Sequence, residues 1–311
     1  DIPAKLTLVK TVTNDNGGTA AASAWTLSAT GPVTLSGPTG TSGDVSAGTY
    51  TLSESGGPAG YTAGTWSCAL TNTPATPVTV TSGAVSLTLG QDVTCTINNN
   101  DQTSTLVLDK VLTNDNGGTA TSDQFVLTAT GTAGTPAAAT TSSGGDTNPA
   151  AGSSLSFTVN AGEYTLSEAQ LAGYTAGTWT CTGATLTGTT LVIPNGVTVT
   201  CTINNNDQTS TLVLDKVLTN DNGGTATSDQ FVLTATGTAG TPAAATTSSG
   251  GDTNPAAGSS LSFTVNAGEY TLSEAQLAGY TAGTWTCTGA TLTGTTLVIP
   301  NGVTVTCTIT N

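Results

Sequence analysis

One stretch of this chain occurs three times, and that repetition constrains the fold more than any other feature. It reads Leu106-Val107-Leu108-Asp109-Lys110-Val111-Leu112-Thr113-Asn114-Asp115-Asn116-Gly117-Gly118. A diverged copy runs from Leu6 to Gly18, and a third begins at Leu212 and carries Lys216. The repeat extends well beyond this stretch, since residues 93–203 recur without a mismatch at 199–309. A chain built this way is a tandem array, and the period predicts domains at 1–101, 102–207 and 208–311. The first is a diverged version with a shorter middle. Duplication adds length more readily than new chemistry, which favours a spacer over an enzyme.

The local pattern is that of strands. Leu6–Val12 alternates apolar and polar residues, as do Gly48–Glu54 and Val93–Asn99. Trp25–Ala29, Val33–Leu35, Thr65–Ala69, Val78–Thr81 and Val85–Leu89 supply further short runs. Thr and Val favour strands, and the 39 Gly with Asn and Pro favour turns between them. No run with a 3.6-residue period is long enough for a helix. The expected architecture is all-β: three Ig-like sandwiches, each of about seven or eight strands. Short polar junctions at 100–104 and 207–210 predict a stiff, extended rod. The segments 132–154 and 238–260, rich in Ala, Thr, Gly and Ser, are expected to be exposed loops with one short edge strand.

The charge excludes several functions. Net charge is −15, with no His and only four basic residues, all Lys. No basic face can be built for nucleic acid, and an anionic membrane surface would repel the chain. No apolar run is long enough for a membrane-spanning helix, so direct membrane insertion is not expected. No secretory leader is visible, so the chain reads as mature or as a fragment. Without His there is no Ser-His or Cys-His pair, and no phosphate or dinucleotide loop is present. Multiple-turnover catalysis and a bound cofactor are not expected.

The six Cys fall in spaced pairs, Cys68 with Cys95, Cys181 with Cys201 and Cys287 with Cys307. One pair per repeat implies one disulfide per domain and an oxidising, extracellular location. Core-packed free thiols are the competing arrangement. Trp66, Trp179 and Trp285 each stand two residues before a Cys and are expected to pack against the bridge. The turn Asn14-Asp15-Asn16-Gly17-Gly18 is oxygen-rich enough to raise Ca²⁺, but it lacks the spacing and distal Glu of an EF-hand, so a structural turn is the better reading.

Three of the four Lys sit at one repeated position inside an alternating strand. Side chains alternate faces along a strand. Leu6 and Leu8 must point inward, so Lys10 points inward with them. By the same parity Glu54 follows Tyr50 and Leu52, and Asn99 follows Val93, Cys95 and Ile97. The second domain repeats the set as Lys110, Glu168 and Asn205, the third as Lys216, Glu274 and Asn311. Each group is costly to bury alone. An apolar pocket lowers a lysine pKa and raises a glutamate pKa. A neutral amine can then attack the Asn amide while a protonated Glu polarises it, leaving an isopeptide bond once per domain. The alternative is a buried Lys–Glu ion pair with a hydrogen-bonded Asn.

Gly48-Thr49-Tyr50-Thr51-Leu52-Ser53-Glu54 followed by Pro58-Ala59-Gly60-Tyr61 resembles the "Y-x-L-x-E…P-x-G-Y" signature of Cna-B/SpaA-type domains. These are prealbumin-like, reverse-immunoglobulin sandwiches of Gram-positive surface adhesins and pilins. The resemblance covers essentially the whole chain. It implies a cross-linking Lys on the first strand (Lys10, Lys110, Lys216) and a catalytic Glu in the motif (Glu54, Glu168, Glu274). It places the acceptor Asn on the last strand (Asn99, Asn205, Asn311). The second and third domains depart from the signature, with Leu171 standing where Pro would be and one residue fewer before Tyr174. In a sortase-built pilus a surface Lys accepts the next subunit, which brings Lys5 to mind, although an ordinary surface Lys is the simpler reading.

The expected role is a stalk or fibre segment at the bacterial cell surface, with neighbouring domains or subunits of the same fibre as partners. The alternatives are an adhesin module binding a glycan, a host protein or another surface ligand, and a self-assembling filament subunit.

Overall fold

The computed structural model describes residues 1–132, 140–141, 155–238, 246–249 and 261–311. Domain 1 contains eleven strands: β1 (Ala4–Thr13), β2 (Trp25–Thr30), β3 (Leu35–Gly37), β4 (Thr41–Val45), β5 (Gly48–Gly56), β6 (Tyr61–Ala63), β7 (Ser67–Leu70), β8 (Thr73–Val78), β9 (Val80–Thr81), β10 (Ala84–Leu87) and β11 (Asp92–Asp101). One sheet has the order β4-β1-β11-β7-β8, with β6 also pairing β11, and the other β3-β2-β5-β10-β9. Leu6, Leu8, Val93, Cys95 and Ile97 from the first sheet and Leu27, Leu52, Val85 and Leu87 from the second share one buried cluster. That shared core makes the pair of sheets a sandwich. Burying each such side chain contributes about 1.5–3 kcal/mol before chain entropy is counted.

The first and last strands of each domain lie side by side and parallel. Lys10 stands opposite Ile97, and Val12 opposite Asn99. In domain 2, β12 (Ser104–Thr113) pairs in the same way with Thr198–Asp207. In domain 3, Ser210–Val217 pairs with Thr304–Thr310. This central parallel pair sets the register of the lysine and the asparagine of the candidate site. In domain 1 burial alternates along it: Ala4, Leu6, Leu8 and Lys10 are buried on β1, and Val93, Cys95, Ile97, Asn99 and Asp101 on β11.

Three short strands of domain 1 go beyond the alternating runs in the sequence: Thr41–Val45, Tyr61–Ala63 and Thr73–Val78. Thr41–Val45 and Thr73–Val78 are the sheet's edge strands. The latter holds Pro74 and Pro77, which an edge can carry because it needs fewer backbone donors. The run expected at Val78–Thr81 is split, with Val78 closing a strand of one sheet and Val80–Thr81 lying in the other. The strand expected at Val33–Leu35 lies at Leu35–Gly37, and Val33 is exposed. The edge strand expected within 132–154 is Thr140–Thr141, and its counterpart in 238–260 is Thr246–Ser249. The rest of those two expected loops lies outside the described residues.

The six cysteines form the bridges Cys68–Cys95, Cys181–Cys201 and Cys287–Cys307. Each joins directly opposed residues on neighbouring strands. Trp66, Trp179 and Trp285 pack into the clusters that hold these bridges.

Candidate functional site

At the end of each sandwich core the alternation places a lysine. Lys10, Lys110 and Lys216 are all buried, the last two completely. The motif glutamate reaches each amine across the sandwich. Lys10 Nζ lies 2.5 Å from Glu54 Oε2, Lys110 Nζ 2.9 Å from Glu168 Oε1 and Lys216 Nζ 3.0 Å from Glu274 Oε1. The asparagine arrives from the last strand. Asn99 Nδ2 donates to Glu54 Oε1 at 2.8 Å, and Asn311 Nδ2 donates to Glu274 Oε1 at 2.9 Å. Asn205 is fully buried, and neither its Nδ2 nor its Oδ1 has a hydrogen-bond partner.

Burial pushes the Lys110 and Lys216 amines below the ordinary lysine pKa, and the facing glutamates offset only part of that effect. Desolvation is the larger of the opposing effects because the amine has left water entirely. An aromatic ring roofs each amine: Trp25 at 4.9 Å, Phe125 at 4.6 Å and Phe231 at 4.5 Å from Nζ to ring centroid. These roofs rest edge-on against Tyr61, Tyr174 and Tyr280, with centroids 5.3, 5.5 and 5.4 Å apart.

The tyrosines connect the pocket to the repeated turn. Tyr61 Oη donates to Asn14 Oδ1 at 2.6 Å and accepts the Ala20 N–H at 3.0 Å. The Asn14–Gly18 turn presents backbone N–H groups to a carboxylate of its own domain. Asp101 accepts from Asp15 N at 3.0 Å, Asn16 N at 2.9 Å and Gly18 N at 2.7 Å. Asp207 does the same for the turn at Asn114–Gly118. Burial raises the Asp101 pKa, but the donors at Gly18, Asn16 and Asp15 together outweigh it, and the carboxyl titrates below its ordinary value. Among the described residues no three His, Cys, Asp or Glu side chains gather as a metal-holding group.

The aromatic roofs and the two aspartates escape sequence reasoning, and Tyr61 and Tyr174 enter it only as motif residues. Asp101 looks like a linker residue, yet the parity of Val93, Cys95, Ile97 and Asn99 extends to it by one further step. Lys5 is exposed, as its parity predicts. At the departure from the motif, the Tyr174 N–H donates to Leu171 O, closing the shorter turn without proline.

The family comparison agrees with this architecture. The prealbumin-like fold domain family matches residues 1–97, 101–203 and 207–309. No curated protein sequence matches the chain. Among solved structures, the Bacillus anthracis TIE protein aligns over 100% of this chain and 51% of its own, at 14% identity and a TM-score of 0.54. The chain therefore spans about half of that protein, and the likeness speaks to the fold alone. The pilus adhesin SpaC from Lactobacillus rhamnosus GG aligns over 99% of this chain and 43% of its own, at 13% identity and a TM-score of 0.32. The major pilin T-13 from Streptococcus pyogenes aligns over 68% and 97%, at 14% identity and a TM-score of 0.26. Among the described residues no helix is long and apolar enough to cross a membrane.

Proposed function

The chain belongs to the prealbumin-like fold domain family, in three tandem copies, and from that premise we propose that it is a stalk or fibre segment of an extracellular, Gram-positive bacterial surface protein. Each domain is stapled twice, by its disulfide and by an isopeptide bond between Lys and Asn. The pairs are Lys10 with Asn99, Lys110 with Asn205 and Lys216 with Asn311. Glu54, Glu168 and Glu274 promote the reaction. The partners are neighbouring domains and subunits of the same fibre.

The observation that carries this reading is the buried lysine paired with the motif glutamate in every domain, with the Asn amide on Glu54 in domain 1 and on Glu274 in domain 3. Its chemistry balances without a cofactor. The neutral amine forms an Nζ–Cγ bond to asparagine. The carboxyl hydrogen-bonds the amide oxygen, stabilises the charge developing there and carries the amine's proton to the departing nitrogen. The Cγ–Nδ2 bond breaks and ammonia leaves. The Asn amide can turn end for end at small steric cost, because its NH₂ and O are nearly isosteric. It can therefore offer the glutamate its oxygen first and its leaving nitrogen later. The reaction runs once per domain.

A mechanical role follows from where the bond falls. It would join the two parallel central strands near their ends, the strands through which tension enters and leaves a domain. The test is the intact mass of the purified chain after complete reduction. The expected result is the loss of one ammonia per domain. An unshifted mass overturns the covalent part of the proposal and leaves buried ion pairs.

A further inference from the structure

Asn99 and Asp101 occupy successive inward positions on β11, and both are buried. The Asp101 carboxylate grips the turn that directly follows β1, the strand of Lys10. One side chain thus ties the end of the acceptor strand to the end of the nucleophile strand. The same turn is where the next domain docks. Ala161 N donates to Asn16 O at 2.8 Å, and Asn195 Nδ2 reaches Asp101 Oδ2 at 3.4 Å. Gly17 has φ +90°, and a Cβ there would lie 2.0 Å from Ala161 O, so the joint closes only over glycine. The arrangement repeats at the second joint, where Ala267 N donates to Asn116 O at 2.8 Å and Asn301 Nδ2 reaches Asp207 Oδ2 at 3.4 Å.

We propose that Asp101 and Asp207 are positioning residues for the Lys–Asn bond of their own domains, and that docking of the following domain acts on that bond through them. This rests on the cross-link reading above. The carboxylate holds the last strand in register so that the Asn amide stays within reach of the amine. The neighbour's Asn195 or Asn301 holds the carboxylate in turn. A closed joint and a cross-linked domain are then coupled states.

The experiment uses the full chain, wild type and the variants Asp101→Asn, Asp207→Asn and Asn195→Ala. Each domain's ammonia loss is followed over time after synthesis by peptide mass mapping, and formation of its disulfide is read in the same digests. Asp101→Asn is expected to slow cross-linking of domain 1 roughly tenfold or more, the scale of losing charge-assisted bonds to backbone donors. Domains 2 and 3 keep wild-type rates, and Cys68–Cys95 forms normally. Asp207→Asn transfers the defect to domain 2. Asn195→Ala, which leaves domain 1 itself unchanged, slows domain 1 by a smaller factor. A wild-type rate in domain 1 of Asp101→Asn overturns the positioning role. So does a parallel loss of Cys68–Cys95, which would mark a general folding defect. Absence of ammonia loss in every wild-type domain overturns the cross-link reading itself.

Discussion

Domains 1 and 2 hold the same three residue types at the same register, yet their pockets rest in different states. In domain 1 the Glu54 side chain is 14% exposed, and both its oxygens are engaged, one by Lys10 and one by Asn99. In domain 2 the Glu168 side chain is 2% exposed. Its amine is displaced toward neutrality by burial, and the Asn205 amide has no hydrogen-bond partner at either end. An unpartnered buried polar group costs about 1–3 kcal/mol. Replacing a buried amine and a buried primary amide by one secondary amide removes most of that penalty. On the proposed cross-link, the drier pocket therefore gains more from becoming covalent.

The largest expected effect breaks the comparison directly. Glu168→Gln stops ammonia loss in domain 2 and leaves a buried lysine without its counter-charge, which should destabilise that domain by about 3–5 kcal/mol. Glu54→Gln likewise stops ammonia loss in domain 1, but it should cost less there, because water reaches the more exposed site. Denaturant unfolding of the full chain, resolved by domain through hydrogen exchange, measures both. Equal losses would show that the difference in burial has no energetic weight.

The disulfides sharpen the comparison by removing a competing explanation. Cys68–Cys95 spans 27 residues and Cys181–Cys201 spans 20. Loop entropy gives each about 3 kcal/mol, and the length difference changes this by less than about 0.5 kcal/mol. Serine replacement of either pair should therefore lower the two domains' stabilities almost equally. A clearly larger loss in one domain would trace the asymmetry to the bridges rather than to the pockets.

Much of this site was legible in the sequence, and the limits have physical causes. The alternation of β1 and β11 is driven by a continuous apolar face, so the sequence alone places Lys10 and Asn99 inward. Thr41–Val45 and Thr73–Val78 carry no such face; they are edge strands held by backbone pairing, and their Gly, Thr and Pro content reads as loop. Asp101 was hidden for a different reason. Its partners are backbone N–H groups of a turn distant in sequence, a type of contact that leaves no mark in side-chain pattern. The roofing rings were visible only as generic core aromatics, since the cation beneath them comes from another strand.

The roofs supply the next test. Trp25 lies against Gly57, where a Cβ would sit 2.2 Å from Trp25 Nε1, so the indole occupies room that only glycine leaves. Domain 2 has no Gly-Gly before its Ala-Gly-Tyr and roofs Lys110 with the smaller, fully buried Phe125. Phe125→Trp should overpack domain 2 and cost about 1–3 kcal/mol. Trp25→Phe should cost domain 1 less, because the Glu54 side chain beside it is partly exposed and the site can relax toward solvent. A thermal shift confined to the mutated domain checks this, and the reverse order would mean that ring size does not match pocket size.

The smallest effect concerns pH and separates the domains by the window in which they respond. In Asn205→Ala, where no cross-link can form, Lys110 remains titratable with a folded-state pKa below its unfolded value. The unfolded chain then binds more protons, so domain 2 of this variant gains stability as pH rises from the lowered value toward that of an ordinary lysine. In the wild type the proposed cross-link makes the nitrogen an amide that binds no proton, so that rise should vanish. Domain 1 responds at the other end of the scale. The Asp101 carboxyl titrates below its ordinary value, so the stability it contributes is complete above the unfolded carboxylate pKa and is lost as pH falls through the folded one. Acid should therefore loosen the first joint before it opens the sandwich, seen as faster exchange of the Asp15, Asn16 and Gly18 amides while the core amides stay protected. Exchange rates that rise together across turn and core would show that the clasp and the sandwich form a single cooperative unit.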